Sequence, residues 1–145
     1  MTTPSVRPSR LLAASLLAAC FIPAAAFAAS TTLKATLDGA SATPAGDPDG
    51  TGGFTVTVDP ETNDFCYTLW GENIAAPTMA HVHSGAAGAN GPPVITIDVT
   101  GKDDNVCVAV DKAKLEPIVA NPAGYYINIH TADFPCGAIR GQLSK

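Results

Sequence analysis

From Thr32 to Leu143, apolar residues recur at every second position in short runs, and each run stops at a cluster of Gly, Pro, Asp or Asn. Side chains alternate between two faces at this period in an extended strand, so the pattern dictates strands with one apolar face. Thr32–Asp38 carries Leu33, Ala35 and Leu37 on one face, and Gly53–Asp59 sets Phe54, Val56 and Val58 against Thr55 and Thr57. Pro60–Asp64 is a five-residue turn, which makes the next strand, Phe65–Trp70, its hairpin partner. Further strands are expected at Met79–Ser84, Val94–Val99, Val106–Val110, Tyr125–His130 and Ala138–Leu143, with loops at Gly39–Gly50 and Gly85–Pro93. One segment, Asp111–Asn121, has Leu115, Ile118 and Val119 at helical spacing, and Pro117 limits it to a turn or two. About eight short strands and one short helical turn predict an all-β fold, a Greek-key β-sandwich or barrel.

The first 28 residues stand apart. Met1–Arg10 holds Arg7 and Arg10 and no acid, Leu11–Phe27 is apolar, and Ala26-Phe27-Ala28 is a small-x-small cleavage site. This is the pattern of a secretory signal peptide over residues 1–28, leaving residues 29–145 as one domain. Pro23 interrupts the apolar run, which is short for a membrane span, so no transmembrane span is expected after cleavage. A periplasmic or secreted location follows. The alternative is lipid anchoring, because Leu17-Ala18-Ala19-Cys20 resembles a lipoprotein cleavage box with Cys20 as its lipidation site. The hydrophobic Phe21–Ala28 stretch would then adjoin the anchor, where a polar linker is usual, and this favours ordinary cleavage.

A chain of this mature size buries roughly 65% of its unfolded surface, enough for one real core. After residue 28 there are thirteen acidic residues against six cations (Lys34, Lys102, Lys112, Lys114, Arg140 and Lys145), a net charge of −7. No basic run is present, which argues against nucleic acid as a partner. Export places the cysteines in an oxidising compartment. Cys66, Cys107 and Cys136 allow three pairings, and strand phase favours Cys66–Cys107. Each alternates with an apolar set: Phe65, Tyr67 and Leu69 for one, Val106, Val108 and Val110 for the other. Cys136 is then left over.

Candidate functional residues are few. The chain has three histidines, in Ala80-His81-Val82-His83-Ser84 and Ile127-Asn128-Ile129-His130-Thr131. If Val82, Ile127 and Ile129 face the core, His81 and His83 point outward, as do Tyr126, Asn128 and His130. Three imidazoles suit copper or zinc and leave an open position. The competing reading is that they hydrogen-bond to loop carbonyls. Strand order is not readable from the sequence, so their convergence is left to the tertiary structure. Arg140 alternates with Ile139 and is expected to face away from the core, where it either draws an anion towards a metal site or pairs with an acid such as Asp133. Asp47-Pro48-Asp49-Gly50 lacks the further ligands of a calcium loop and reads as a turn. Trp70, Tyr125 and Tyr126 are expected to serve cross-strand packing rather than a sugar- or peptide-binding surface. Catalytic residues are not evident. Ser84 beside His83 is no triad, because adjacent strand residues face opposite ways.

Two long motifs carry a resemblance. Ala80-His81-Val82-His83-Ser84-Gly85-Ala86-Ala87-Gly88, followed by Gly91-Pro92-Pro93-Val94-Ile95, resembles the central signature of the chordin-type (CHRD) domain. Tyr125–Pro135 and Gly137–Leu143 resemble its C-terminal signature, and Leu33–Gly39 its opening strand. The opening loop departs from the family, reading Ala40-Ser41-Ala42-Thr43-Pro44-Ala45 where a Glu and two prolines are usual, and Cys136 stands where a small residue is more common. The resemblance implies an extracellular β-sandwich and no settled activity. A looser one connects His81-Val82-His83, His130 and Cys136-Gly137-Ala138-Ile139 with Cu/Zn superoxide dismutase, but the zinc ligands and bridging histidine of that enzyme have no counterpart. The leading expectation is a non-catalytic binding module for an extracytoplasmic protein or glycan. The alternative is a copper or zinc protein using His81, His83 and His130, extending to dismutase-like redox chemistry. Mass spectrometry of the exported protein should find Ala29 at its N-terminus; a diacylated chain beginning at Cys20 would overturn this reading.

Overall fold

The computed structural model describes residues 30–145. The expected signal peptide and Cys20 lie outside the described residues. All eight expected strands form, with ends displaced by at most two residues: β1 (Thr31–Asp38), β2 (Thr51–Asp59), β3 (Asp64–Glu72), β4 (Pro77–Ser84), β5 (Pro93–Ile97), β6 (Val106–Ala109), β7 (Tyr125–Thr131) and β8 (Ile139–Gln142). Helix α1 (Lys112–Ala120) and a 3-10 turn at Pro122–Gly124 separate β6 from β7. Pro117 sits inside α1 without ending it. Pro117 and Ala113 are both exposed, so the Ala113 carbonyl that loses its helical partner reaches water, while Leu115 and Ile118 are fully buried on the opposite side.

The strands form one antiparallel sheet in the order β5-β4-β7-β8-β1-β2-β3-β6. The sheet curls until its two edges, β5 and β6, face each other across a cleft of about 370 Å³ lined by Ile95, Thr96, Val108 and Lys114. Beyond β5 the chain crosses to β3, where the Thr100 and Gly101 amides donate to the Leu69 carbonyl at 2.8 and 3.0 Å. Around the curl, β4, β5 and β6 follow one another and β7 returns beside β4, which is the Greek-key arrangement. The alternating apolar residues of every long strand point inward. Leu33, Val56, Phe65, Leu69, Val82, Ile127, Ile129 and Ile139 are all fully buried in a single cluster, and α1 adds Leu115 and Ile118 to it.

The turn between β2 and β3 also fixes α1. Asn63 adopts φ of 63°, its carbonyl accepts from the Val110 amide at 2.9 Å, and its side-chain Oδ1 accepts from the Lys112 amide at 3.0 Å. Asparagine tolerates this left-handed conformation better than most residues. Asp47 accepts from the Asp49 amide at 3.2 Å, forming the local turn expected there. Trp70 carries the Lys102 ammonium 4.3 Å above its ring, on a strand distant from Tyr125 and Tyr126, so the three aromatics form no common surface.

Cys66 and Cys107 are direct cross-strand partners on β3 and β6 and form the disulfide that strand phase favoured. Cys136 is free and exposed. The bridge ties the edge strand β6 to the sheet across a sequence separation of 41 residues. In the chain-entropy model a loop of that length is worth about 4 kcal/mol, and measured values commonly fall lower. A Cys66→Ala/Cys107→Ala double variant is expected to lose about 2–4 kcal/mol of unfolding free energy in urea titration; an unchanged midpoint would show that β6 is held without it.

Candidate functional site

The site lies on the outward face of β4, β7 and β8. Alternation aims Ala80 and Val82 of β4 and Ile127 and Ile129 of β7 into the core, which leaves Met79, His81 and His83 and then Tyr126, Asn128 and His130 on the other side. Register places His81 opposite Asn128, His83 opposite Tyr126 and Met79 opposite His130. On the far side of β7, Asn128 faces Arg140 and Tyr126 faces Gln142.

The imidazoles do point away from the core, but most of this face is covered. His83 and His130 are each only 8% exposed, Asn128 4%, and Arg140 and Tyr126 2%. Two loops roof the sheet. The β4–β5 loop hydrogen-bonds to it through several backbone groups: the Gly91 carbonyl accepts from His83 Nδ1–H at 2.9 Å, the Gly91 amide donates to the Tyr126 hydroxyl at 3.3 Å, and the Gly85 carbonyl accepts from Gln142 Nε2 at 2.8 Å. The β7–β8 loop closes the other side, with the Pro135 carbonyl accepting from His130 Nδ1–H at 2.9 Å and the Cys136 carbonyl accepting from Asn128 Nδ2 at 3.1 Å. Two glycines permit this closeness. A Cβ on Gly91 would lie 1.6 Å from the Ser84 carbonyl oxygen, and one on Gly137, where φ is +135°, would lie 2.3 Å from Asn128 Oδ1.

The three histidines converge. One ring nitrogen of each lies within 4.8 Å of the other two, and His81 Nδ1 is 3.2 Å from His130 Nε2. Because a carbonyl can only accept, His83 and His130 must each carry a proton on Nδ1. In the neutral ring Nε2 is then a bare lone pair. His130 Nε2 accepts from His81, whereas His83 Nε2 is buried with no partner at all. Metal-binding histidines characteristically donate the other ring N–H to a carbonyl, as these two do. Two nitrogens bound tetrahedrally at about 2.0–2.1 Å from an ion stand about 3.3 Å apart, close to the His81–His130 spacing. With the His81 proton moved from Nδ1 to Nε2, the residues therefore fit a small ion with a preference for imidazole.

Burial and neighbouring positive charge oppose protonation of His81 and His83. Burial, and then the neighbouring His130 and His83, hold His81 below the usual histidine range. Burial also lowers His83, opposed by its bond to the Gly91 carbonyl and reinforced by His130 and Arg140. His83 stacks on Tyr126 at 4.8 Å between centroids and 7° between planes, and the Arg140 guanidinium carbon lies 3.5 Å from the same ring centre.

Arg140 departs from its expected pairing. It does face away from the core, but it makes no ion pair with Asp133 or with any other acid among the described residues. Its Nη2 donates to the Ala86 carbonyl at 2.8 Å and to Gln142 Oε1 at 3.3 Å, and Nη1 is buried without a partner. Strand phase had already put Tyr126 and Asn128 on the histidine face. The loop carbonyls of Gly91 and Pro135 gave no such signal, since any residue type supplies a carbonyl.

The family model of the CHRD domain matches residues 33–143. No curated protein and no solved structure matches the chain. The lowered histidines set a pH dependence. The unfolded chain takes up protons on His81 and His83 near the ordinary value of 6.5, before the folded chain does, so folding stability is fully present above that pH and is lost as pH falls below it. Denaturation of chelator-treated protein should show this loss between neutral pH and pH 5, and the loss should shrink in a His81→Gln/His83→Gln variant.

Proposed function

We propose that this chain, which belongs to the CHRD domain family, is an exported, non-catalytic binding module whose ligand is a copper or zinc ion held by His81, His83 and His130. The observation that carries the proposal is the orientation of the imidazoles. The Gly91 and Pro135 carbonyls take the Nδ1 protons of His83 and His130, which turns the His130 Nε2 lone pair to His81 and leaves that of His83 unpartnered within the cluster. A merely structural histidine would be satisfied by its carbonyl bond. The bare, buried Nε2 of His83 then carries a desolvation cost that an ion would remove.

Export accords with the disulfide and with the leader expected over residues 1–28. Among the described residues no helix is long and apolar enough to cross a membrane. When bound, an ion would supply a Lewis acid with one coordination position open. The chain's own groups hold and orient the three rings and limit solvent access through the roofing loops. Among the described residues the cluster contains histidines alone, with no carboxylate or thiol beside them, which favours binding over catalysis.

Elemental mass spectrometry on exported, untagged protein tests the reading. Near one copper or zinc per chain is expected in the parent, falling close to zero in His83→Ala and His130→Ala. A parent that stays metal-free after both metals are supplied would reduce the histidines to loop supports. Recognition of an extracytoplasmic protein or glycan would then be the remaining function of the fold.

A further inference from the structure

Resting on the metal-site reading, the geometry points to monovalent copper as the ion, with the Met79 thioether as its fourth ligand. Met79 is the only methionine after Met1, and its side chain is 51% exposed on β4 and so free to move. It stands two residues before His81, on the same strand face as His81 and His83, and directly across from His130. Direct cross-strand neighbours have Cβ atoms about 4.5–5.5 Å apart, within reach of an unbranched side chain with three rotatable bonds. Met79 also borders an open cleft of about 350 Å³ with Ile97, Asp98 and Val99, which leaves its side chain room to change rotamer.

Three features of the site select a soft ion of low charge. The thioether is a soft ligand that favours Cu(I) over zinc or Cu(II). The donors are all neutral, since the cluster contains three histidines and no carboxylate or thiolate. The surroundings oppose a dication: His83 and His130 are nearly buried, and the cost of burying charge rises with its square. Arg140 adds to this opposition. Its guanidinium has no acidic partner among the described residues and shares the Tyr126 ring with His83, so its positive field acts on the site without a counter-charge. Imidazole ligands alone would leave zinc and Cu(II) competitive; the sulfur and the uncompensated arginine shift the balance.

The test is competition for Cu(I) with bicinchoninate under ascorbate, alongside zinc titration, in a Cys136→Ser background that removes the exposed thiol. Met79→Leu keeps the apolar volume at an exposed position and is expected to fold normally. The parent should hold Cu(I) more tightly than zinc, and Met79→Leu should weaken Cu(I) about tenfold or more while leaving zinc affinity unchanged. X-ray absorption of the Cu(I) form should show one sulfur neighbour, lost in Met79→Leu. A parent that binds zinc at His83 and His130 but shows neither a sulfur neighbour nor a Met79 effect would overturn this inference and leave the metal site standing. A parent that binds neither ion would overturn both.

Discussion

Strand β7 is buried on both of its faces, and much of the local structure follows from that constraint. One face supplies Ile127 and Ile129 to the core, and the other carries Tyr126, Asn128 and His130 beneath two loops. A polar side chain removed from water must be hydrogen-bonded or it destabilises the fold. The loops therefore turn carbonyls towards the sheet, and each binds a particular side chain: Gly91 to His83, Pro135 to His130, Cys136 to Asn128 and Ala86 to Arg140. Gly91 and Gly137 occur where the loop backbone comes closest to its neighbours, because no side chain fits there.

The same burial gives the histidines their chemical character. In water an imidazole changes protonation and tautomer freely. Here the carbonyls fix the proton of His83 and His130 on Nδ1, and burial, followed by the neighbouring rings, disfavours charging His81 and His83. Arg140 extends the pattern across β8. It is a permanently charged group placed against the Tyr126 ring instead of against a carboxylate, so the π face and two oxygen acceptors provide its local stabilisation. A positive charge without an acidic neighbour then lies beside a cluster of neutral donors. In a chain with a net charge of −5, that local sign is opposite to the overall one.

Period-two alternation made nearly all of the fold legible. The eight strands, the β2–β3 hairpin, the core set and the Cys66–Cys107 bridge all follow from which residues share a phase, since burying one face of a strand fixes the direction of every side chain on it. Phase also named the face bearing the histidines, with Tyr126 and Asn128 among them. It was less informative where side-chain direction does not decide the outcome. Pro117 permitted a longer helix than its backbone alone suggests, because Leu115 and Ile118 anchor α1 from the other side. Arg140 lacked its expected acid, and the Ala86 carbonyl of the β4–β5 loop and Gln142 Oε1 accept from it instead.

By itself, then, the sequence determined the fold class, the strand set, the inward and outward faces and the favoured disulfide. These are consequences of local alternation and need no knowledge of neighbours. The tertiary structure decided that β4 lies against β7, which brings His81 and His83 to His130 across a separation of nearly fifty residues. It also decided that the outward face is roofed and which carbonyls orient the rings. Strand order and loop path arise from how the curled sheet closes on itself, a long-range property, and a backbone carbonyl leaves no mark in the sequence because every residue carries one.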